Sequence, residues 1–220
     1  MDAVKVIPLV CPSCGSDLHG MDFHRLYYCE TCRLAREPGS DATPTPVEFA
    51  ANVVPLSGKL IFLPFWYFDV KVDLSSVEHK KQRELAVAPQ IERVWVTAFS
   101  TRNSIYFGDP GLAYTLGQVA WKPRDDGFIA GAAVGGECAG GIAKYFVLSA
   151  IDKRVDVTGV DMEIQCSNSR IVGVPFSDQG DRLTDGLLGK DYPQQVLSDI
   201  NAIRESFKGR ILRPSNLSDQ

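Results

Sequence analysis

The sequence lacks most of the features that direct a chain into or across a membrane. Residues 1–9 contain no basic segment followed by a long apolar run and a small-residue cleavage site. The longest uncharged apolar stretch, Leu60 to Phe68, has nine residues including one proline, whereas a membrane-spanning helix needs about 20. A longer stretch, Phe128 to Ile151, carries Glu137 and Lys144. These absences predict a cytosolic protein without an integral membrane segment.

Positive charge is also scarce. The chain has 23 Lys and Arg against 27 Asp and Glu, a formal net charge of −4. Residues 1–46 hold four basic and six acidic side chains, so the N-terminal part is acidic as well. Proteins that bind nucleic acids normally present an excess of positive charge to the phosphates. Charge therefore disfavours nucleic-acid binding.

The composition is that of a folded protein, because 45% of the residues are hydrophobic and 23% are charged. A length of 220 residues suits one moderate domain with a small appendage. Three prolines and several small polar residues between Arg36 and Pro46 are typical of a linker. The predicted division is a zinc ribbon over 1–36, a linker over 37–46 and an α+β domain over 47–220.

Cysteine is distributed unevenly, since four of the six cysteines form two Cys-x-x-Cys pairs near the N-terminus. The pairs are Cys11/Cys14 and Cys29/Cys32, separated by fourteen residues. Each pair can contribute two thiolates to one metal from a tight turn. Four thiolates suit tetrahedral Zn²⁺ and leave no open position for substrate. Metal binding is favoured over two disulfides, because a chain without a secretion signal keeps its thiols reduced. The spacing predicts a structural zinc site.

This segment resembles the zinc-ribbon (rubredoxin-like) family over about residues 5–36. The resemblance rests on the Cys-Pro-x-Cys-Gly motif at 11–15 and on a strand-like run at 23–28 that leads to the second pair. It implies that Cys11, Cys14, Cys29 and Cys32 are the metal ligands. Arg33 departs from the family, which often has glycine there. Iron in a rubredoxin-like electron carrier, and His24 as a substitute ligand rather than an exposed strand residue, are the less favoured alternatives.

The remainder of the chain predicts an α+β fold, with a mixed, largely antiparallel sheet and packed helices. The predicted strands are recognised by apolar runs or by alternation of apolar and polar residues: Leu60–Leu74, Ile91–Phe99, and a hairpin of Asp161–Cys166 and Ser169–Phe176 around Ser167-Asn168. The predicted helices show helical spacing or a start signal: Pro110–Gln118, Glu137–Lys153, and a final helix opening at Pro193. The polar connection Ser75–Gln90 is expected to be partly helical.

Several weaker features favour structural roles over functional ones. Cys138 and Cys166 are expected to be buried, and the glycine-rich run 131–141 matches no phosphate-binding motif, which favours close helix packing. The aromatic run Phe62–Phe68 is expected in the core, with an interface as the alternative. The basic segment Arg204–Arg213 is expected to be the polar face of a terminal helix rather than a contact for an acidic partner.

The leading functional hypothesis is a non-enzymatic zinc-binding protein that docks a protein partner, as an accessory or assembly subunit. Leu26, Tyr27 and Tyr28 could stack on bases, so a nucleic-acid-binding ribbon is the first alternative. An enzyme is the second alternative, with Cys138 or the acids Asp178, Asp181 and Asp185 at its site. His79 lies in a charged stretch and is not expected to be catalytic.

Overall fold

The computed structural model describes residues 8–39, 42–86, 88–101, 108–210 and 212. Parts of the predicted ribbon and linker, Val87 and Arg213 of the basic segment lie outside the described residues. The strands are β1 Tyr27–Cys29, β2 Leu34–Arg36, β3 Thr45–Ala50, β4 Lys59–Asp73, β5 Arg93–Thr97, β6 Pro123–Arg124, β7 Glu163–Asp178, β8 Arg182–Asp185 and β9 Asp191–Pro193.

Four α-helices and one 3₁₀ helix occur in the described ranges. They are α1 His79–Leu85, α2 Pro110–Leu116, α3 Gly136–Asp152, the 3₁₀ helix Gln194–Val196 and α4 Ile200–Ser206. Helix α2 begins as predicted, because the Asp109 carboxylate accepts a hydrogen bond from the Leu112 N–H at 3.1 Å. None of the described helices is long and apolar enough to cross a bilayer.

The strands form one open sheet in the order β1-β2-β3-β7-β4-β5, with β6 beside β3 and the β8–β9 pair beside β7. The β3–β7 pair is parallel and the other named pairs are antiparallel. The predicted α+β class with a mixed, largely antiparallel sheet is therefore confirmed. The Pro64 carbonyl of β4 accepts a hydrogen bond from the Ala98 N–H, and Ala98 lies just beyond the end of β5. The N–H that proline lacks therefore removes no hydrogen bond from the β4–β5 ladder.

The aromatic run of β4 lies in the core. Successive side chains of a strand point to opposite faces, and here both faces are covered. The indole N–H of Trp66 donates to the Val134 carbonyl before α3 at 2.8 Å, whereas the ring of Phe65 lies 5.2 Å from Tyr114 of α2. All five aromatic side chains from Phe62 to Phe68 are buried. The interface alternative for this run is excluded.

The predicted hairpin at Ser167-Asn168 is wrong. Strand β7 passes through these residues without turning and pairs with β4 along nearly its whole length. Asn168 adopts a φ of +50° next to a register shift at Tyr67 and Asp69, and its amide donates to the Asp69 carboxylate at 2.8 Å. Asparagine tolerates this conformation in a bulge as well as in a turn. Because β7 pairs with β4 on both sides of Asn168, this residue forms a bulge and not a turn.

The predicted helix from Pro193 is also wrong over its first part. Pro193 ends β9, in which Tyr192 pairs with Leu183 of β8 and has a buried side chain. The α-helical turns begin only at Ile200, after the 3₁₀ helix. Sheet pairing of residues 191–193 therefore overrides the proline start signal.

The N-terminal segment joins the main sheet directly. Leu26 exchanges backbone hydrogen bonds with Ala132 at 3.0 and 2.9 Å, and β2 pairs with β3. Leu26, Tyr28 and Ala35 belong to the main core. The predicted linker overlaps β3 at Thr45 and Pro46. The division into domains stays a prediction.

Candidate metal centre

Two turns carry the four N-terminal cysteines. Cys11 and Cys14 lie in a turn between the bridge partners Val10 and Asp17, and Cys29 ends β1 just before the turn that holds Cys32. Strand pairing of β1 with β2 fixes the second turn, because Cys29 faces Leu34 across the ladder. The sheet thus positions one pair of thiols, and the local turn positions the other.

Both turns are closed by the same kind of backbone geometry. The Gly15 N–H donates to the Cys11 carbonyl at 2.8 Å, and the Cys32 N–H donates to the Cys29 sulfur at 3.4 Å. The residue after each pair has a positive φ, +75° at Gly15 and +53° at Arg33. This conformation explains why the resembled family often has glycine where this chain has arginine.

Arg33 is held in this conformation by contacts with the body. Its guanidinium donates to the Asp125 carbonyl, and its own carbonyl accepts from the Val47 N–H of β3 at 2.9 Å. These two hydrogen bonds to distant parts of the chain therefore offset the energetic cost of a positive φ at a non-glycine residue. The second turn depends on the body more than the first.

The four sulfurs converge on one point. The ligand atoms of Cys11, Cys14, Cys29 and Cys32 all lie within 4.8 Å of one another. Across the two pairs, Cys11 Sγ lies 3.8 Å from Cys32 Sγ, and Cys14 Sγ lies 3.5 Å from Cys29 Sγ. All four are free thiols, so the disulfide alternative is not adopted. The described residues contain no other group of three or more His, Cys, Asp or Glu side chains at ligand distance.

Hydrogen bonds set the proton affinities of the two more accessible thiols in opposite directions. Bonds from the Ser16 hydroxyl and N–H lower the pKa of Cys14 to about 6. The hydrogen bond with Cys14, followed by burial, raises the pKa of Cys32 to about 12. A thiolate is the form that ligates metals, so the bonds from Ser16 favour the ligating form of Cys14.

Polar side chains connect the two turns to each other and to the rest of the chain. The hydroxyls of Ser16 and Thr31 lie 3.0 Å apart, and Arg36 donates to the Ser13 hydroxyl at 2.7 Å. Serine and threonine between and beside paired cysteines gave no signal in the sequence. Their contacts appear only once the two turns are brought together.

The C-terminal segment also reaches the second turn. Arg210 donates to the Glu30 carboxylate at 2.8 Å, and its guanidinium lies 3.6 Å from the ring centroid of Phe128. His19 lies 3.6 Å from the same carboxylate. The expectation that the basic segment forms only the polar face of a terminal helix therefore misses Arg210, which lies 180 residues from its partner.

His24 lies apart from the cysteine cluster, and it is neither exposed nor in a strand, contrary to prediction. Its Nδ1 is 3.1 Å from the Ala130 carbonyl, and burial lowers its pKa. The backbone conformation of Gly131, with a φ of +116°, brings that glycine against the imidazole. His24 thus packs the segment against the body.

The residues considered for base stacking are not available for it. Leu26 and Tyr28 are buried in the main core, and Tyr27 is half-buried with its hydroxyl donating to the Met21 carbonyl at 3.1 Å. Burial of Tyr28 raises its pKa to about 12. These aromatic rings contribute to packing.

The acids considered for catalysis serve as structural anchors. Arg204 donates to both oxygens of Asp178 at 2.7 and 2.8 Å, and this interaction lowers the pKa of that carboxyl. Asp185 is fully buried and accepts from the N–H groups of the loop that follows it, at 2.7 Å from Leu187 and 2.8 Å from Leu188. Asp181 instead lies at the surface.

The two remaining cysteines belong to different elements. Cys138 is exposed in the first turn of α3, so the prediction of burial is wrong for it. Cys166 lies half-buried in β7, and burial raises its pKa. His79 is exposed at the start of α1.

The glycine-rich run divides into two kinds of position. A Cβ on Gly136 would meet the ring of Trp66 at 3.2 Å, in agreement with the predicted close packing of α3. A Cβ on Gly140 or Gly141 would meet nothing within 4 Å. Close packing among residues 8–39, 42–86, 88–101, 108–210 and 212 does not explain these last two glycines.

Comparison of this chain with protein-family models, curated proteins and solved structures gave no match. The zinc-ribbon resemblance over residues 5–36 therefore stays a prediction. The structure itself supports the coarser statement that four cysteines from two turns lie at metal-binding distance.

Proposed function

We propose that this chain is a non-enzymatic zinc protein of the cytosol, in which one Zn²⁺ fixes an N-terminal ribbon on an α+β body for docking a protein partner. The convergence of four cysteine sulfurs within 4.8 Å carries the proposal. Tetrahedral Zn–S bonds of about 2.3 Å place sulfurs about 3.8 Å apart. The separations of 3.8 Å between Cys11 and Cys32 and 3.5 Å between Cys14 and Cys29 fit this geometry.

The donor set supports a structural rather than a catalytic metal. Four thiolates fill the tetrahedral positions, so a metal bound by Cys11, Cys14, Cys29 and Cys32 has no site for water or substrate. When bound, the zinc crosslinks the two turns. The structural bonds of Asp178 and Asp185 further weaken the enzyme alternative.

Exposed apolar side chains of the ribbon segment support the docking role. Leu9, Val10 and Phe23 are each more than 40% exposed, although the segment is short. Leu9 and Val10 are neighbours in the sequence, and adjoining exposed apolar groups mark contact surfaces more often than single ones do. Leu9 and Val10 directly precede the first metal-binding turn, so zinc would also hold them in place.

Affinity purification of the full chain, followed by native mass spectrometry, tests the docking role. The wild type should carry one zinc and one co-purifying protein. A Val10→Asp/Phe23→Asp variant should keep the zinc and lose the protein. Leu116→Asp is the matched control, because Leu116 is similarly exposed on α2 and its replacement should retain the partner.

Two results would contradict the proposal. Protein without bound metal would remove its basis, and bound iron would favour the electron-carrier alternative. Retention of DNA or RNA that weakens steeply with salt would favour the nucleic-acid alternative over protein docking.

A further inference from the structure

Helix α3 has an outer face that the described residues leave uncovered. At 100° per residue, its exposed residues form one continuous stripe. These residues are Glu137, Cys138, Gly141, Lys144, Tyr145, Leu148 and Asp152. Tyr145 is 66% exposed and Leu148 is 36% exposed, so the stripe presents two large apolar side chains to solvent.

Gly141 lies at the centre of this stripe. Glycine is the poorest helix former after proline, and a side chain here would meet open space. Packing within the described part of the chain therefore gives no reason for glycine at this position. Close approach of another backbone to the face would give such a reason.

The two edges of the stripe differ in chemistry. One edge carries Glu137 and Lys144, which lie on opposite sides of the central glycine along the axis. The positions three and four residues away from Lys144 hold only glycine, valine and leucine, so it has no helical ion-pair partner. The other edge carries Cys138 and Tyr145.

We propose that this face of α3 binds the same face of a second copy, with the two helices antiparallel about a two-fold axis at Gly141. Such an axis keeps like edges together and reverses the helix direction. Glu137 then lies opposite Lys144 of the second copy, twice by symmetry. Tyr145 lies opposite Cys138 of the second copy in the same way, as a sulfur–aromatic contact.

Charge complementarity selects this arrangement over a parallel one. A parallel two-fold pair would bring the charged edge against the Cys138 and Tyr145 edge, which would leave both charges without partners. A helix of 17 residues is about 25 Å long, so the contact area is small and the self-association is weak. The proposal does not depend on the metal site or on the proposed function.

Sedimentation velocity over a concentration series from micromolar to submillimolar tests this interface with the full chain. The wild type should pass from 24.1 kDa towards twice that mass. Lys144→Glu and Glu137→Lys should each raise the dissociation constant on the order of tenfold, because each replaces two attractive pairs by two repulsive ones. The Glu137→Lys/Lys144→Glu double variant should restore association. Lys80→Glu on α1 is the charge-matched control and should have no effect.

A steric variant provides a second readout. Gly141→Leu improves helix propensity, so circular dichroism should show an intact fold while self-association is lost. A wild type that stays monomeric at every concentration would overturn the proposal. Association that survives Gly141→Leu, or that the double variant fails to restore, would overturn it as well.

Discussion

The cysteine segment and the central sheet are stabilised by different interactions. In the segment, the separate buried cluster consists of Cys11, Leu18 and Cys29. In the sheet, β4 alone buries nine consecutive side chains. A core of that size folds without a crosslink, whereas a short segment with so few buried groups needs a metal or another crosslink. Metal removal should therefore affect the two regions unequally.

Loss of the metal should have the largest effect. Cys29→Ala removes a buried cysteine of the proposed zinc site, and structural zinc contributes about 10–16 kcal/mol in finger peptides. We expect zinc loss and rapid amide exchange over residues 8–24, with β4 and β7 still protected. Hydrogen-exchange mass spectrometry measures this difference.

Cys138→Ala is the control for that experiment, because Cys138 is exposed on α3 and lies outside the cluster. It should keep both the zinc and the exchange pattern. Equal loss of protection in both regions of the Cys29→Ala variant would contradict the separation of the two stabilising interactions.

A cavity in the main core should have the next largest effect, and it should reverse the pattern. Phe62 is buried against Phe49, with ring centroids 5.4 Å apart. Phe62→Ala should lower the free energy of unfolding by about 3–5 kcal/mol, while the zinc content at low temperature stays at one per chain. Urea denaturation and metal analysis test both parts. A Phe62→Ala chain that binds no zinc when folded would show that the regions are not separable.

The Asp178–Arg204 pair gives a pH-dependent contribution confined to the body. Arg204 lowers the pKa of the Asp178 carboxyl in the folded state. The stabilisation is therefore present above the unfolded pKa of about 3.9, and it is lost as the pH falls through the folded-state pKa. Asp178→Asn should cost about 2 kcal/mol at neutral pH, and the difference from wild type should shrink towards zero in acid. Chemical denaturation at several pH values measures it. A gap independent of pH would refute the ion-pair assignment.

The smallest effect is expected where the two regions meet. Arg210 contacts both Glu30 of the second turn and Phe128 of the body. Arg210→Ala should remove about 1 kcal/mol and speed zinc transfer to a chelator a few-fold. Lys208→Ala, which removes a surface pair with Glu205, should leave the transfer rate unchanged. Equal rates of zinc transfer in the two variants would show that Arg210 does not stabilise the metal-binding turn.

Local sequence pattern predicts the elements of this fold where one local signal dominates. The apolar and alternating halves of β4, the Asp109 cap of α2 and the spacing of α3 each correspond to an observed element. The two Cys-x-x-Cys pairs likewise lie on short turns, as their spacing predicts. In these cases neighbouring residues carry the decisive interactions.

The wrong predictions occur where contacts between distant residues determine the local structure. Asn168 fits a hairpin turn and a bulge equally well, and the pairing of β7 with β4 selects the bulge. Pro193 fits a helix start, but Leu183 pairs with Tyr192 and keeps residues 191–193 in a strand. The contact between Arg210 and Glu30 spans 180 residues. No local pattern could have predicted these pairings.

X-ray absorption spectroscopy on the full chain, purified without added metal, tests whether the four cysteines bind zinc. The edge energy identifies the metal, and the fine structure counts its ligands. We expect zinc with four sulfur ligands at about 2.3 Å. An iron edge, a shell containing nitrogen or oxygen ligands, or the absence of metal would contradict it.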